Sequence, residues 1–375
     1  MERKQSLEEK YLLTIERIIS ENPCHQCNPC SIMNLNPSAI KKILIIKPRG
    51  IGDVVLSTIL LDNLKAHFKD AKIDYLTEPF AKPAIENLAD VNKVLTMGKN
   101  EFSLKVALII RKEKYDMVID TWSNPRTAQI VFLSGVKYRV GFGYRGRKYA
   151  YNIKAASARG SHHMAEHNLE LLHAMNIPII SKKIHYQIKD EDNKKAKSFI
   201  SQNFDLGKPV IGIVPAGGWE SKRCEPEKWS EICNALLNKY DCSLLVVSGP
   251  GDEADAEFIK DKLGEKIVHS HKTTLNELTA IINNCIIIIA NDSGPMHISA
   301  ALGKPTLGLF GPTDPYTAYP YGNNEWVRLD KLFCIKCDLL VCPYNHECFR
   351  NLPVERVLDR LDKLIKKNSV SVILL

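Results

Sequence analysis

The sequence predicts an α/β protein of two doubly wound, Rossmann-like domains. Short apolar runs typical of buried strands alternate with amphipathic stretches typical of helices, and the short connections between them indicate parallel sheets. This plan occurs twice along the 375 residues, with the change near residue 185. Two consecutive units of about 150 residues each have an ordinary size for such domains. With 45% apolar and 25% charged residues, the composition is that of a globular protein.

In the first half, short apolar runs predict strands, and stretches with apolar residues three or four apart predict helices. The predicted strands are 43–46, 72–76, 93–97 and 117–120, and the predicted helices are 53–68, 80–89, 102–112 and one that begins after Pro125. The alternation then pauses in a basic segment and resumes with a helix at about 163–176.

The second half repeats the alternation after a charged connector. The predicted strands are 209–215, 243–249, 266–270, 285–290 and 305–311, and the predicted helices are 190–203, 226–240, 252–263, 274–284 and 296–303. We expect the strand at 305–311 to be the last one and a final helix to begin at Pro353.

These elements divide the chain into four segments. They are an N-terminal extension at 1–38, a first domain at 39–184, a second domain at 185–350 and a C-terminal helix at 351–375. The extension has an amphipathic pattern typical of a helix and lacks the hydrophobic region of a signal peptide. No apolar run is long enough to span a bilayer, so we expect a cytoplasmic protein.

The strongest signal for a ligand site follows the most apolar strand of the second half. Asp292, Ser293 and Gly294 precede a helix with Pro295 in its first turn. Free N–H groups and the helix dipole favour a bound phosphate there, and Ser293 and His297 could donate to the same anion. Asp292 would repel a phosphate, so it would cap the helix or hold a ribose. A well-capped connection without a ligand is the alternative.

Two other loops of the second half follow strands of the same predicted sheet. Gly217 and Gly218 permit a close approach of the backbone, and Lys222 offers a cation for a diphosphate. Glu253, after the next strand, could bind a ribose hydroxyl. Because ligands of doubly wound sheets bind beyond the carboxyl ends of the strands, the second domain is the predicted nucleotide binder.

The first strand of the chain is followed by KPRGIGDVV, which contains a lone acid, Asp53. The loop lacks the G-x-G-x-x-G pattern of a dinucleotide site, which disfavours a dinucleotide-dependent oxidoreductase. Asp53 lies where a helix should begin, so it either caps that helix or takes part in chemistry.

A basic segment runs from Arg126 to Arg159. It contains eight Lys or Arg and no acid, in a chain whose net charge is +8, and tyrosines lie between the charges. Such a segment indicates an anionic partner. Nucleic acid, anionic lipid and a phosphorylated glycolipid fit the pattern, as does a basic loop region with packed tyrosines.

Seven of the eleven cysteines lie in two short segments, CHQCNPC and CIKCDLLVCPYNHEC. They are Cys24, Cys27 and Cys30 in the first and Cys334, Cys337, Cys342 and Cys348 in the second. In a reducing compartment this spacing favours structural zinc or an iron–sulfur cluster over disulfides. Reduced, partly buried thiols without a metal are the alternative.

Four segments of the sequence resemble glycosyltransferase family 9, the lipopolysaccharide heptosyltransferase family. They are KILIIKPRGIGDVVLSTILLDNLK, VPAGGWESKRCEPEKW, NDSGPMHISAALGKPTLGLFGPTDP and CIKCDLLVCPYNHECF. The resemblance covers roughly residues 41 to 365, and the third segment is its most specific part. The N-terminal extension with its cysteines is not a usual feature of the family. Gly217 and Gly218 stand where hydroxyl residues are common.

The resemblance implies a GT-B fold, in which two Rossmann-like domains face each other across a central cleft. The first domain would bind the acceptor and the second the nucleotide sugar, and the C-terminal helix would cross back onto the first domain. The implied reaction is an inverting, metal-independent sugar transfer, usually of heptose from ADP-heptose to a lipopolysaccharide-type or other cell-envelope glycan. No cofactor is required for such a transfer.

The motifs of the family fall on particular residues of this sequence. The general base falls on Asp53 and the donor-binding lysine on Lys222. The family's D-[ST]-G-x-x-H motif falls on Asp292, Ser293, Gly294 and His297.

The basic segment then belongs to the acceptor-binding half, and the expected partner is an anionic glycolipid or glycan rather than nucleic acid. Arg49, Arg126, Arg139 and Arg145 are the candidates for contacting it or the inner membrane leaflet. A non-catalytic GT-B protein that binds nucleotide sugars, with a redox- or metal-responsive cysteine cluster, is the alternative function.

Overall fold

The computed structural model describes residues 35–157, 160–215, 217–249 and 251–374. The amphipathic helix predicted in the extension and the cysteines at 24, 27 and 30 lie outside these residues. No helix within the described ranges is both long enough and apolar enough to cross a membrane.

The first domain is built on a six-stranded parallel sheet with the order β3-β2-β1-β4-β5-β6. Its strands are β1 (Lys42–Ile46), β2 (Lys72–Thr77), β3 (Lys93–Thr96), β4 (Met117–Asp120), β5 (Tyr138–Phe142) and β6 (Ile153–Ala155). The helices are α1 (Ile51–Ser57), α2 (Leu61–His67), α3 (Ser103–Lys112), α4 (Pro125–Ser134) and α5 (Met164–Ala174). This strand order is that of a dinucleotide-type Rossmann sheet.

The second domain has a six-stranded parallel sheet with the order β10-β9-β7-β11-β12-β13. Its strands are β7 (Val210–Val214), β9 (Ser243–Ser248), β10 (Ile267–Lys272), β11 (Ile287–Asn291), β12 (Thr306–Phe310) and β13 (Glu325–Arg328). Two short strands, β8 (Tyr240–Asp241) and β14 (Ile373–Leu374), form a separate antiparallel pair.

The helices of the second domain are α6 (Asp190–Asn203), α7 (Pro226–Lys239), α8 (Glu253–Leu263), α9 (Leu275–Asn283), α10 (Gly294–Ala301), α11 (Pro315–Ala318), α12 (Glu347–Arg350) and α13 (Val354–Asn368). Counted along its own domain, the second sheet repeats the strand order of the first. The prediction of two doubly wound domains is confirmed.

The central strands are apolar throughout because both faces of each sheet are covered. In β1, Ile43 and Ile45 belong to one buried cluster, whereas Leu44 and Ile46 belong to the cluster on the opposite face. In β11, Ile287 and Ile288 divide in the same way. Alternate side chains of a strand point to opposite faces, so a doubly covered strand appears as a continuous apolar run.

Two predictions about the first domain were wrong. Residues 80–89 form no α-helix; the chain makes a 3₁₀ helix at Pro79–Ala84, where Pro83 lacks an N–H and restricts the residue before it. The alternation does not pause in the basic segment, which supplies β5 and β6 to the sheet. The predicted helix at 53–68 is present but divided by a 3₁₀ turn at Thr58–Leu60.

Two predictions about the second domain also differ from the structure. The strand at 305–311 is not the last, because β13 pairs with β12 at the edge of the sheet. Helix α13 contacts β12, β13 and α7 of the second domain. Its buried Val357, Leu361 and Leu364 belong to the second domain's core, whereas the resemblance implied a crossing onto the first domain.

The packing of α13 predicts the effect of one substitution. Leu361→Ala should lower the free energy of unfolding by about 2–5 kcal/mol, because it opens a cavity in the core of the second domain. Urea unfolding followed by circular dichroism measures the change. The matched control is Lys363→Ala on the exposed side of the same helix, which should stay within about 0.5 kcal/mol of the wild type. Equal values for the two variants would contradict this packing.

Candidate active site

The two domains meet where α1 and α10 begin. A Cβ atom added to Gly52 of α1 would lie 2.5 Å from Cδ2 of His297 in α10. A Cβ added to Gly294 would lie 3.1 Å from Cβ of Ile51. Ile298 of α10 is buried in the apolar cluster of the first domain. The glycine of the KPRGIGDVV loop at position 52 is therefore needed for the approach of His297.

Asp53 lies in the first turn of α1, at the domain junction. Its Oδ2 accepts a hydrogen bond from the Gly50 N–H at 3.1 Å, while Gly50 itself is the N-cap residue. Asp53 is thus the third residue of the helix and reaches back to the cap position. Its side chain is 25% exposed.

A lysine that sequence reasoning missed stands beside this carboxylate. Nζ of Lys47 is 4.0 Å from Oδ1 of Asp53 and 4.7 Å from the centre of the Trp122 ring. Lys47 directly follows β1 and opens the glycine loop, so the KPRGIGD part of the sequence contained the signal. The ammonium of Lys47 therefore lies on one side of the Asp53 carboxylate.

The opposing turn of α10 contains polar atoms without partners. Ser293 is the N-cap residue, but its side chain makes no capping hydrogen bond. Among the described residues, Ser293 Oγ and His297 Nδ1 are buried and have no hydrogen-bond partner. Buried polar groups usually have hydrogen-bond partners, so a ligand with oxygen atoms could supply the partners that these two atoms lack. Burial lowers the pKa of His297, opposed in part by Asp292 and Asp53, so the ring is neutral near pH 7.

Asp292 holds Lys222. Nζ of Lys222 is 2.6 Å from Oδ2 of Asp292, and the Thr313 hydroxyl donates to the same oxygen at 2.6 Å. Asp292 is only 5% exposed. The Lys222 ammonium also lies 4.5 Å from the centre of the Trp219 ring. The carboxylate therefore positions the lysine and does not cap α10, and Thr313 is a second residue that sequence reasoning missed.

Of the two glycines in the preceding loop, only Gly217 is closely packed, against Arg223. The Arg223 guanidinium donates to the Gly217 carbonyl at 2.9 Å, and a Cβ at Gly217 would lie 2.8 Å from Cγ of Arg223. Arg223 also pairs with Asp252 at 3.0 Å. A Cβ at Gly218 would meet no atom within 4 Å, so the fold does not require a glycine there.

Glu253 is the first residue of α8, which follows the carboxyl end of β9. Its Oε2 accepts from the Gly251 N–H at 2.6 Å. The carboxylate therefore stabilises the loop before its own helix. A ribose contact by Glu253 stays a prediction.

The four arginines predicted to contact an acceptor differ in exposure. Arg139 is 3% exposed and donates to the Ala150 and Val136 carbonyls, so its predicted contact with an acceptor is wrong. Arg126 donates to the carbonyls of Gly98, Lys99 and Glu101 and so holds that loop. Arg49 and Arg145 are exposed, and their predicted role stands as a prediction.

A second contact joins the domains beside this site. Nε2 of His163, at the start of α5, donates to the Tyr319 carbonyl at 2.8 Å, and Nδ1 accepts from the Ala165 N–H. Burial lowers the pKa of His163 to about 4, and nearby His297 acts in the same direction. The neutral ring is the form that makes both hydrogen bonds.

Cys334, Cys337, Cys342 and Cys348 line one cavity in the second domain. All four thiols are free, as are the other four cysteines of the described ranges. As the side chains lie, no group of three or more Cys, His, Asp or Glu residues in those ranges is arranged as a metal site.

Two doubly wound domains that face each other across such a junction define the GT-B class of glycosyltransferases. Residues 103–346 match the family described as glycosyltransferase family 9 (heptosyltransferase). The chain belongs to this family and is a glycosyltransferase.

Relatives and solved structures agree with this assignment. Lipooligosaccharide heptosyltransferase 2 of Haemophilus influenzae is 26% identical over 350 residues, which cover 87% of this chain and 99% of the relative. A family 9 glycosyltransferase from Veillonella parvula superposes with a TM-score of 0.76 at 20% identity, covering 89% of this chain and 99% of its own. The ADP-heptose lipopolysaccharide heptosyltransferase II of Escherichia coli has a TM-score of 0.71 at 22% identity, covering 88% and 100%. The structural similarities support the fold.

The contact between Gly52 and His297 can be tested by a double-mutant cycle. Gly52→Ala should lower the free energy of unfolding by about 1–3 kcal/mol, because the added methyl group overlaps the buried ring. In the His297→Ala background the same change should cost little, since the ring is gone. Thermal or urea unfolding of the four proteins measures the coupling, and equal costs in both backgrounds would contradict the contact.

Proposed function

We propose that this enzyme transfers heptose from ADP-heptose to a lipopolysaccharide-type glycan, with inversion at the anomeric carbon and Asp53 as general base. The observation that carries the proposal is the position of Asp53 opposite the first turn of α10, where Ser293 and His297 have unpartnered polar atoms. The H. influenzae relative is named as a lipooligosaccharide heptosyltransferase, and the E. coli structure as an ADP-heptose transferase. Both names support this choice of substrates.

In the proposed reaction an acceptor hydroxyl attacks the anomeric carbon from the face opposite the diphosphate. The new bond forms between the acceptor oxygen and that carbon, and the bond from the carbon to the phosphate oxygen breaks. The departing ADP keeps the electron pair, and Asp53 takes the proton of the acceptor hydroxyl. A single displacement of this kind inverts the anomeric configuration. The base must lie within hydrogen-bond reach of the hydroxyl, and the position of the Asp53 carboxylate at the domain junction supports this role.

The second domain would stabilise the leaving diphosphate. Lys222 supplies a cation, the first turn of α10 supplies free N–H groups, and Ser293 supplies a hydroxyl donor. Donors aimed at the developing charge, in a site shielded from water, lower the barrier without reorganisation during the reaction. We propose that these groups provide the positive potential that a divalent cation provides in other transferases, so transfer proceeds without a metal.

The acceptor would approach over the first domain. Arg49 and Arg145 are exposed there and offer cations for the phosphate or carboxylate groups of an anionic glycolipid. Contact with the inner membrane surface would follow from the same charges.

The role of Asp53 is tested with Asp53→Asn, which keeps an oxygen to accept from Gly50 but removes the basic carboxylate. We expect kcat for transfer from ADP-heptose to fall by about 10²–10⁴-fold, while the affinity for ADP stays nearly unchanged. Asp90→Asn, at an exposed position of the same domain, is the control. Unchanged turnover in Asp53→Asn would exclude the base assignment. Running the assay with GDP-, UDP- and CMP-sugars tests the donor identity.

The role of Lys222 is tested with Lys222→Met. Loss of a charge-assisted hydrogen bond should weaken ADP binding by about tenfold or more in calorimetric titrations. Lys266→Met removes an exposed cation elsewhere in the second domain and should leave the affinity unchanged. Because Lys222 also neutralises the buried Asp292, unfolding is measured on the same samples to show that the variant is folded. Equal ADP affinities for the two variants would remove Lys222 from the donor site.

A further inference from the structure

The segment between β13 and α12, residues 329–346, contains turns but no helix or strand. Several of its apolar side chains point outward: Phe333 is 78% exposed and Val341 66%. A stretch of this length without regular structure is uncommon inside a compact domain. Since its own apolar groups do not form a core, hydrogen bonds, ion pairs or a bound ligand must hold the segment.

The four cysteines of this region converge on one cavity, although they come from separate turns. Cys334 lies in the first turn, Cys337 directly follows that turn, Cys342 comes five residues later, and Cys348 lies in α12. The cavity is also lined by Ser221, the residue before Lys222. Four free thiols around one cavity match the ligand number of a tetrathiolate metal site.

The backbone around the cysteines is also shaped for thiolates. The N–H groups of Tyr344 and His346 donate to Sγ of Cys342 at 3.4 Å and 3.3 Å. Hydrogen bonds of this kind stabilise a negatively charged sulfur.

Four residues of the segment adopt positive φ angles between 51° and 61°, namely Lys336, Asp338, Asn345 and His346. Left-handed conformations are tolerated by Asn and Asp but are unfavourable for Lys336 and His346, and they persist where the surroundings over-determine them. These four residues alternate along the chain with the cysteines that line the cavity.

We propose that Cys334, Cys337, Cys342 and Cys348 bind one thiophilic metal ion, zinc or iron, as four thiolates. Each thiol gives up its proton to solvent, so one divalent ion replaces four protons and no electron transfer is needed. Because no finished ligand set is present among the described side chains as they lie, binding requires the sulfur atoms to turn inward around the ion.

The proposed site would brace the donor lysine, and this second step rests on the proposed function. Residues of the cysteine segment hold the two residues that precede Lys222. The Cys342 N–H donates to Oε2 of Glu220 at 2.8 Å, and the Ser221 N–H donates to the Leu340 carbonyl at 3.2 Å. Nε2 of His346 lies 2.9 Å from Oε1 of Glu220. An ion that fixes the segment therefore fixes the turn that presents Lys222.

The experiment is elemental analysis of the full-length protein purified without oxygen. We expect about one equivalent of zinc or iron per chain, as a four-thiolate site requires. The double variant Cys334→Ser/Cys337→Ser should lose the metal. The triple variant Cys24→Ser/Cys27→Ser/Cys30→Ser should keep it, because those thiols are not part of the site. Wild-type metal far below one equivalent, or metal retained in the double variant, would overturn the proposal.

The elemental analysis distinguishes the two ions, because it quantifies zinc and iron separately. Iron with matching acid-labile sulfide would indicate a cluster and would overturn the single-ion site. A second experiment titrates the reactive thiols of the wild-type protein, so it does not depend on the folding of any variant. Removing the metal with a chelator should make the four cysteines of the site reactive, and no gain in reactive thiols would speak against the site.

The link to Lys222 is tested by ADP titration before and after metal removal. We expect the affinity for ADP to fall about tenfold, as for the loss of one well-placed charged hydrogen bond. An unchanged affinity would overturn the bracing of Lys222. Full metal content without any ADP binding would instead contradict the proposed function, so the two failures are distinguishable.

Discussion

The arrangement of the site depends on how closely the first turns of α1 and α10 approach each other. Gly52 and Gly294 leave room where any larger residue would meet the opposite helix. This contact joins a carboxylate on one domain to a positively polarised helix end on the other. It also places Ile298 of the second domain in the apolar core of the first. The same contact between the domains therefore buries apolar surface and brings Asp53 close to His297.

The rest of the site is supported from each side of this contact. In the first domain, the backbone N–H of Gly50 and the ammonium of Lys47 hold Asp53. In the second domain, Asp292 and Thr313 hold Lys222. Asp53 and Lys222 are therefore each held by neighbours from their own domain.

The fold was predictable from the sequence because its central strands are covered on both faces and so stand out as apolar runs. The strands β5 and β6 were missed because they contain charged residues. Arg139 is buried in β5, where its guanidinium donates to the carbonyls of Ala150 and Val136. These hydrogen bonds make the burial of a charged residue possible, and they cannot be predicted from the sequence. The site is harder to predict because its contacts join residues that are distant in the sequence. Thr313 reaches Asp292 across 21 positions, and only folding brings the two together.

The ion pair between Lys222 and Asp292 would give the proposed donor site a charge threshold. The lysine already has an anionic partner at 2.6 Å that is almost fully buried. A ligand gains from Lys222 only if it offers more negative charge than one carboxylate or shares the ammonium with it. A nucleoside or a sugar offers only neutral acceptors to the ammonium, whereas a diphosphate offers negative charge. Under the proposed function, the resident carboxylate of Asp292 thus sets the charge that an incoming donor has to exceed.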